Sequence, residues 1–390
     1  MKPSKLLLTT ILLSGGLTTF AAENQIGTGE NDGYTLVWQD LFDGTDLDPM
    51  RWTIEVNGNG GGNNELQYYT DRTDNVCVRK DSKGNGCLIL TAKRESYLGK
   101  QFTSGRIISK NKVSFKYGKI EAAIRLPKTA NGLWPAFWMM GNDFDQVGWP
   151  RCGEIDIMEF GNATGINAGT QDRYFNGACH WGPSWQNHPN YARAITNSYS
   201  LQDGEFHIYT CIWNEERIAM YVDLDKYPSA DPYYEMTIPA STDEWAPGYY
   251  FHKENFLLFN VAVGGDFTGI HNASAITALN DANGNQASME VNYVKVYQKN
   301  SPAYTLTTLT PGDEQPGGSL QELLVAELTF DGHIVKTNES ADFTIYNMSG
   351  ALVATAYGTQ IAIADLPTGI YVVKAITSSG KTATKKISVR

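Results

Sequence analysis

The chain has little of what binds polyanions, spans membranes or holds catalytic metals. Only 31 of its 390 residues are Lys or Arg, they are scattered, and the formal net charge is −11, whereas nucleic acid requires a basic face. Beyond the N-terminal segment no stretch approaches the roughly 18 apolar residues of a transmembrane helix. No His-Glu-x-x-His pattern and no cysteine pair with zinc spacing occurs, so we expect no metal and no other cofactor in the chemistry.

Cysteine is also scarce, and the 5 residues leave at least one thiol unpaired in any disulfide scheme. Cys77 and Cys87 flank a turn-like segment, residues 81–86, and could therefore face each other across two strands of a hairpin. This pairing stays open. Cys152 lies two residues before Glu154, but without a partnered histidine pattern it is better interpreted as a structural thiol than as a nucleophile.

The N-terminus has the pattern of a secretory signal peptide. Lys2 and Lys5 precede the apolar stretch 6–17, and Thr19-Phe20-Ala21-Ala22 supplies small residues for cleavage. We therefore predict a signal peptide over residues 1–22 and a secreted or cell-surface protein. The apolar stretch is too short to cross a bilayer, and no cysteine near the cleavage site indicates a lipid anchor.

Short strands predominate after the signal peptide. Residues 87–93, 119–125 and 206–213 read as strands separated by Gly, Asn and Asp, and no long amphipathic helix pattern intervenes. This spacing favours an all-β antiparallel sandwich or barrel, which we place at residues 34–299. The glycine-rich segment 58–62 lacks the Lys-Ser/Thr of a phosphate-binding loop and is expected to lie close to a ligand through its backbone.

Three carboxylates occur within six positions of an apolar run, at Glu154, Asp156 and Glu159. Alternation along a strand places the first two on one face and the third on the other. A β-bulge at Ile157-Met158 would return Glu159 to the face of the other two. Two glutamates facing one cleft suggest glycoside hydrolysis; the alternative is a structural acidic strand, solvated or paired with arginines.

The segment 153–159 and the preceding Trp134-Pro-Ala-Phe-Trp138 resemble glycoside hydrolase family 16, in its laminarinase-type branch. Further segments that carry the resemblance are residues 38–44, 62–69, 104–106, 117–121 and 291–297. From the first of these segments to the last, the resemblance spans about two thirds of the chain. The resemblance implies a β-jelly-roll sandwich of the concanavalin A-like kind with a long groove. It also implies endo-hydrolysis of β-glucans or related polysaccharides with retention of anomeric configuration.

The position of each carboxylate in this motif implies its role. Glu154 corresponds to the nucleophile and Glu159 to the general acid and base, while Asp156 is expected to tune Glu154 by a hydrogen bond or by its charge. Trp134 and Trp138 are separated by an even number of residues, so both rings are predicted to share one strand face and to stack on sugars. Packing in the core is the alternative for these two rings.

The resemblance places further polar residues along the groove, where they would read sugar hydroxyls. They are Asn63, Asn64, Glu65, Arg106 and His180. His180 has the alternative of a purely structural histidine. Many relatives hold a structural calcium with acidic residues, but Leu41 and Asn292 stand where Glu and Asp are usual, so we predict no tight calcium site.

The composition changes to Ser, Thr, Pro and Gly after residue 299, and we predict a linker over residues 300–320. Residues 321–390 read as a small β-sandwich domain. Segments 343–350, 366–371 and 385–389 resemble a C-terminal sorting domain of type IX secretion, which implies the secretion machinery as a partner. A carbohydrate-binding module is the alternative, although no Trp follows the linker.

The sequence therefore predicts a secreted, endo-acting, retaining hydrolase whose partner is a β-glucan polysaccharide. The expected linkages are β-1,3, as in laminarin, or mixed β-1,3/1,4. Two alternatives remain: a glucan-binding protein without catalysis, and a hydrolase of another polysaccharide such as agarose. Specificity resides in loops, whose lengths alone do not define subsites.

Overall fold

The computed structural model describes residues 33–81, 83–309, 329–330, 333–347, 352–363, 366–377 and 382–389. The predicted signal peptide and residues 310–320 of the predicted linker lie outside the described residues. The chain divides into two compact units, with the boundary after Leu309. Both units are built from β-strands, as the sequence predicts.

Strands of the first unit alternate with short turns and loops. They are β1 (Tyr34–Asp40), β2 (Thr53–Ile54), β3 (Gln67–Tyr69), β4 (Val76–Lys80), β5 (Gly86–Tyr97), β6 (Lys100–Ser104), β7 (Arg106–Ile108), β8 (Val113–Lys116), β9 (Gly118–Arg125), β10 (Leu133–Gly141), β11 (Glu154–Phe160), β12 (Tyr174–His180), β13 (Asn190–Thr196), β14 (His207–Trp213), β15 (Arg217–Val222), β16 (Tyr234–Thr237), β17 (Asn255–Val263), β18 (Gln286–Lys299) and β19 (Thr305–Thr308).

Helical segments of the first unit are short. They are α1 (Phe144–Val147), α2 (Ala163–Ala168) and single 3₁₀ turns at Gly60–Gly62, Pro247–Tyr249, Ala273–Ala275 and Asp281–Asn283. No helix among the described residues combines the length and apolar character needed to cross a membrane.

Two sheets form the first unit. The ten-stranded sheet has the order β16-β15-β14-β9-β18-β5-β6-β3, with β1 added on β18 and β4 on β5. The nine-stranded sheet has the order β13-β12-β11-β10-β17-β7-β2, with β8 paired to β17 and β19 paired to β8. All pairings are antiparallel except that of β3 with β6.

The hydrophobic core contains side chains from both sheets. Leu88, Ile120 and Val294 come from the ten-stranded sheet, Ile155 and Phe259 come from the nine-stranded sheet, and all five are fully buried. Burial of one face of each sheet is what holds a sandwich together. The other face of the nine-stranded sheet, which we call the outer face, is left to carry polar residues.

A β-bulge interrupts β11 at the predicted place. Asp156 pairs with Ala178 and Glu159 with Asn176, so Ile157 and Met158 together oppose a single residue of β12. The register with β10 shifts at the same point. The bulge prediction is therefore confirmed.

The first unit extends beyond residue 299. Residues 305–308, which lie within the predicted linker, form β19 and pair with β8. The hydroxyls of Thr305 and Thr307 donate to the Glu254 carboxylate at 2.9 and 3.1 Å. The Glu254 carboxylate also accepts a hydrogen bond from Ser114 of β8 at 2.6 Å.

All five cysteines are free. Cys77 lies opposite Ile89 and Cys87 lies opposite Arg79, so the two thiols are offset by two residues instead of facing each other. The hairpin itself forms as expected, but the disulfide considered for it does not. Burial raises the pKa of the Cys152 thiol to about 12, so this thiol is protonated at neutral pH and is no nucleophile.

The second unit has a five-stranded sheet with its own core. Its strands are β20 (Thr329–Phe330), β21 (Ile334–Asn347), β22 (Leu352–Ala362), β23 (Gly369–Thr377) and β24 (Thr382–Val389). They have the order β20-β21-β23-β24, with β22 on β21. Phe343, Val373 and Ile387 belong to its buried cluster.

Candidate active site

The bulge in β11 brings the three carboxylates to the outer face. Across β10 and β11, Met140 pairs with Glu154, Trp138 with Asp156 and Ala136 with Glu159. These β10 residues are separated by two positions each, so they share one face, and cross-strand partners point to the same face. Glu154, Asp156 and Glu159 therefore form one row along the strand.

The residues between the carboxylates anchor the row from behind. Ile155, Ile157, Met158 and Phe160 are fully buried in the main hydrophobic core. Both residues of the bulge pack into the core. Rotation of Glu159 away from the outer face would therefore expose their apolar side chains. Core packing thus fixes the direction of the carboxylates.

Glu154 is held by an indole and by its neighbour in the row. Trp149 Nε1 donates to Glu154 Oε2 at 2.8 Å. Asp156 also forms a side-chain hydrogen bond with Glu154. Burial raises the pKa of Glu154 to about 7, while both hydrogen bonds and the positive charge of Arg106 oppose that rise.

The environment of Asp156 favours the protonated form of its carboxyl group. Asp156 is only 4% exposed, and burial together with the charges of Glu154 and Glu159 raises its pKa well above the usual value. A protonated Asp156 can donate its hydrogen to the Glu154 carboxylate. His180 Nε2 lies 3.6 Å from Asp156 Oδ2, and burial lowers the pKa of His180 to about 4, so this imidazole is neutral at pH 7.

Glu159 accepts one hydrogen bond on each carboxylate oxygen. Trp134 Nε1 donates to Oε1 at 3.0 Å, and Asn176 Nδ2 donates to Oε2 at 2.8 Å. Burial first and then the charge of Glu154 raise the pKa of Glu159 to about 7, against the effect of these two donors. The carboxyl group is thus poised to gain or lose a proton near neutral pH.

A second polar network occupies the outer face beside the carboxylates, on β7 and β17. Trp138 Nε1 donates to Asn260 Oδ1 at 2.8 Å, and the Arg106 guanidinium lies 4.8 Å from the Trp138 ring centroid. Arg106 also forms an ion pair with Glu55 at 2.5 Å. Asn260 Nδ2 donates to the Tyr69 hydroxyl at 3.2 Å. Arg106 is therefore paired with Glu55 and not with the acidic strand.

The segment 63–65 lies at the far side of this network. Glu65 is buried and accepts hydrogen bonds from Gln67 and from the Tyr69 hydroxyl. Asn64 is exposed and donates to both carboxylate oxygens of Asp266 at 3.1 Å. Asn63 donates to the Gly61 carbonyl at 3.3 Å. The Tyr69 hydroxyl links Glu65 to Asn260, whereas both asparagine amides donate within the surrounding loops.

Trp134 and Trp138 share the outer face, as their spacing predicts, but their environments differ. Trp134 is 9% exposed, and Phe267 stacks on it at 4.5 Å with an interplanar angle of 14°. Phe267 therefore covers one face of the Trp134 indole. Trp138 is half-buried, with its ring between Arg106 and the small apolar cluster around Met140.

Sequence reasoning missed two residues that contact the carboxylates directly. Trp149 lies in the loop before β11, where no strand periodicity indicates the direction of a side chain. Asn176 lies four residues before His180 on β12, so the same even spacing that aligned the two tryptophans would have placed it on the face of His180. The pairing of β12 with β11, which the sequence does not contain, is what brings it to Glu159.

The residues at the expected calcium position do not fit a cation. Leu41 offers an apolar side chain that is 39% exposed. Asn292 Nδ2 donates to the Gly86 carbonyl at 2.8 Å, so an N–H group engages an oxygen of the kind calcium would need. Glu154, Asp156 and His180 bring oxygen and nitrogen atoms within 4.8 Å of one another, but Trp149 and the Asp156 proton already serve the Glu154 carboxylate.

Comparison with protein families gives two matches along the chain. Residues 64–241 match the model of the glycosyl hydrolases family 16. Residues 329–390 match a secretion system C-terminal sorting domain. The first match contains the carboxylate row, and the second covers the five-stranded unit.

Individual relatives agree with the first match. The Beta-glucanase of Rhodothermus marinus is 33% identical over 316 residues, which are 76% of this chain and 97% of that protein. The Glucan endo-1,3-beta-glucosidase A1 of Niallia circulans is 34% identical over 285 residues, 68% of this chain but only 38% of that protein. A solved structure of a mixed linkage glucan family 16 protein of Bacteroides ovatus, in complex with a product, has a TM-score of 0.58 and 41% identity to this chain. It covers 66% of this chain and 99% of that one.

Proposed function

The chain belongs to the glycosyl hydrolases of family 16, and from that premise we propose that it is a secreted, endo-acting, retaining hydrolase of β-glucan. The observation that carries the proposal is the buried carboxylate row, in which every carboxyl group has a fixed hydrogen-bond partner. The proposed substrates are β-1,3-glucan, such as laminarin, and mixed-linkage β-1,3/1,4-glucan. The names of the Niallia circulans and Bacteroides ovatus relatives support these two linkages.

In the first step the Glu154 carboxylate attacks the anomeric carbon. The glycosidic bond breaks, its electron pair stays on the leaving oxygen, and Glu159 gives its proton to that oxygen. A glycosyl-enzyme ester remains on Glu154.

In the second step water hydrolyses the ester. Glu159, now ionised, takes a proton from water while the water oxygen attacks the anomeric carbon, and the bond to Glu154 breaks. Two inversions give net retention. Both catalytic groups return to their starting protonation states, with Glu154 ionised and Glu159 protonated.

Asp156 keeps these two protonation states apart. Asp156 retains its own proton because burial and two neighbouring charges raise its pKa. The protonated carboxyl group donates a hydrogen bond to Glu154, which favours the ionised form of Glu154. Burial, and then repulsion from the Glu154 charge, raises the pKa of Glu159 and favours its protonated form. The row therefore supplies one nucleophile and one acid at neutral pH.

Groups around the row are proposed to hold the sugar chain. Trp138 and Arg106 provide a ring and a guanidinium on the β7–β17 side, and His180 faces Glu154 from β12. Trp134 donates a hydrogen bond to Glu159 and therefore lies directly beside the carboxylate row. The remaining predicted contacts, Asn63, Asn64 and Glu65, are proposed to act at the edge of the groove.

Export is proposed from both ends of the chain. The N-terminal signal pattern would direct the chain out of the cytoplasm, and the C-terminal match to a secretion sorting domain supports delivery to the surface or the medium. Secretion machinery that reads the C-terminal unit is the proposed partner.

The function is tested by incubating the wild type and Glu154→Gln with laminarin, lichenan, barley β-glucan and agarose, then sizing the products. We expect oligosaccharides from the β-glucans with the wild type and none with the variant. Binding of laminarin without products would favour a glucan-binding protein. Products from agarose alone would place the substrate in another polysaccharide class.

A further inference from the structure

Four aromatic rings extend from the Glu154 carboxylate to the protein surface, and we call them the aromatic wall: Trp149, His180, His188 and Trp185. Trp149, which donates to Glu154, lies 4.6 Å from His188 and 4.9 Å from Trp185 between ring centroids. His180 lies 6.2 Å from Trp149 and 6.0 Å from His188. Each ring contacts at least two others.

The aromatic wall stands at one end of the carboxylate row. His180, the last residue of β12, lies opposite Glu154 of β11, and Asn190, the first residue of β13, lies opposite His180. The loop that joins the two strands carries Trp185 and His188, and a bridge between Ser184 and Asn187 closes it. Glu159 and the Trp134–Phe267 stack lie at the other end of the row.

Exposure distinguishes Trp185 within the wall. Its side chain is 57% exposed, whereas Trp149, His180 and His188 are half-buried. Single exposed apolar residues are common on protein surfaces. Trp185 is a different case, because Trp149 joins its indole to the buried Glu154 carboxylate, which places an exposed ring within a few sugar lengths of that carboxylate.

We propose that Trp185 is a stacking platform for the glucosyl unit next but one to the sugar that reacts with Glu154. The inference rests on the proposed function and adds the residue that selects for chain length. Glucosyl units with equatorial substituents present flat C–H faces, which pack on an indole while their hydroxyls stay in water. His180 Nδ1 is buried and has no hydrogen-bond partner among the described residues, so it can serve a hydroxyl of the same chain.

The test compares Trp185→Ala, Trp185→Phe and Tyr227→Ala with the wild type. Tyr227 is the matched control because it is 50% exposed and its ring contacts Tyr199, outside the aromatic wall. The readout is the ratio of kcat/KM on laminarin to kcat/KM on a laminari-oligosaccharide too short to reach Trp185. Thermal unfolding of each variant reports whether it is folded.

We expect Trp185→Ala to lower this ratio about tenfold, with most of the loss in KM. Trp185→Phe should restore most of the ratio, and Tyr227→Ala should match the wild type. In the Glu154→Gln background, Trp185→Ala should weaken laminarin-oligosaccharide binding by a similar factor in calorimetry. That binding measurement does not depend on turnover.

An unchanged ratio and unchanged binding in folded Trp185→Ala would overturn this inference while leaving an active wild type as a glucanase. Equal losses in Trp185→Ala and Tyr227→Ala would also overturn it. A wild type that neither cleaves nor binds any glucan would instead overturn the proposed function.

Discussion

Asp156 influences the reactive carboxylates through a proton that it does not transfer. Its carboxyl group is buried between two other acids. Burial and the repulsion between the three groups make the neutral form of Asp156 lower in free energy than the ionised form. A neutral carboxyl group donates a hydrogen bond, and Glu154 accepts it. The proposed nucleophile is thereby kept ionised in a site whose burial would otherwise protonate it.

The first prediction concerns kcat/KM measured as a function of pH. Replacing Asp156 with Ala should move the acid limb of this pH profile to higher pH. As the proposed nucleophile, Glu154 must be ionised, so activity is expected to fall as pH drops through its pKa. Loss of the Asp156 donor raises that pKa. A hydrogen bond to a charged group contributes about 1.5–3 kcal/mol, which corresponds to about one to two pH units. Asp156→Asn keeps an N–H donor and should shift the limb less. An acid limb that stays in place or moves to lower pH in folded Asp156→Ala would contradict the assignment.

Asn176 should have the corresponding effect on the alkaline limb. Its amide donates to Glu159 and stabilises the ionised form, which lowers the pKa of Glu159. In its proposed role as the general acid Glu159 must be protonated, so activity is expected to fall as pH rises through its pKa. Asn176→Ala should therefore move the alkaline limb to higher pH by about one unit. Exposed Asn190 on β13 is the control, and an alkaline limb that moves equally in Asn190→Ala would refute the role of Asn176.

At the scale of elements, the bulge in β11 determines on which face of the strand Glu159 lies. Glu159 lies five residues after Glu154 and reaches the same face only because Ile157 and Met158 oppose one residue of β12. Removing one bulge residue would place the second glutamate four residues after the first, an even spacing that regular pairing also sends to the outer face.

Deletion of Met158 should therefore leave measurable hydrolysis, in contrast to Glu159→Ala. The deletion should also cost stability, since Met158 is fully buried; truncating such a residue costs about 2–5 kcal/mol. Met158→Ala measures that packing cost with the bulge retained, and both quantities come from initial rates and chemical denaturation. A folded deletion variant as inactive as Glu159→Ala would contradict the claim that an even spacing places both glutamates on the outer face.

Strand periodicity made many of these elements predictable. Residues 119–125 lie within β9, and the unequal spacing of the three acids predicted the bulge, because a carboxylate turned into the core is too costly. Contacts made through tertiary structure were not predictable. Trp149 reaches Glu154 from a loop, Asn176 reaches Glu159 through strand pairing, and Phe267 covers Trp134 from the segment after β17.

For the whole molecule, the division into two units separates the carboxylate row from the unit that matches a secretion sorting domain. The carboxylate row, its donors and the aromatic wall all lie before residue 309, in the first unit. The sequence predicted a second, smaller β-domain but placed the end of the first at residue 299. The change in composition marks the linker well, yet it does not reveal that Thr305 and Thr307 donate to Glu254.

Two truncations test this division. Ending the chain after Leu309 keeps β19 on β8, so Tm and kcat/KM on laminarin should equal those of the longer chain, while export should fail. Ending it after Lys299 removes β19 and its hydrogen bonds to Glu254, and should lower Tm by about 5 °C or more. Equal Tm values for the two truncations would show that β19 adds no stability.

The most direct test of the central claim, double displacement through Glu154, is the anomeric configuration of the first product. Wild-type enzyme is mixed with laminarin, and proton NMR spectra of the new reducing ends are recorded before mutarotation proceeds. Retention predicts that β-anomer signals appear first and that α-anomer signals follow slowly. α-Anomer signals first would require direct attack by water and would contradict the nucleophilic role of Glu154.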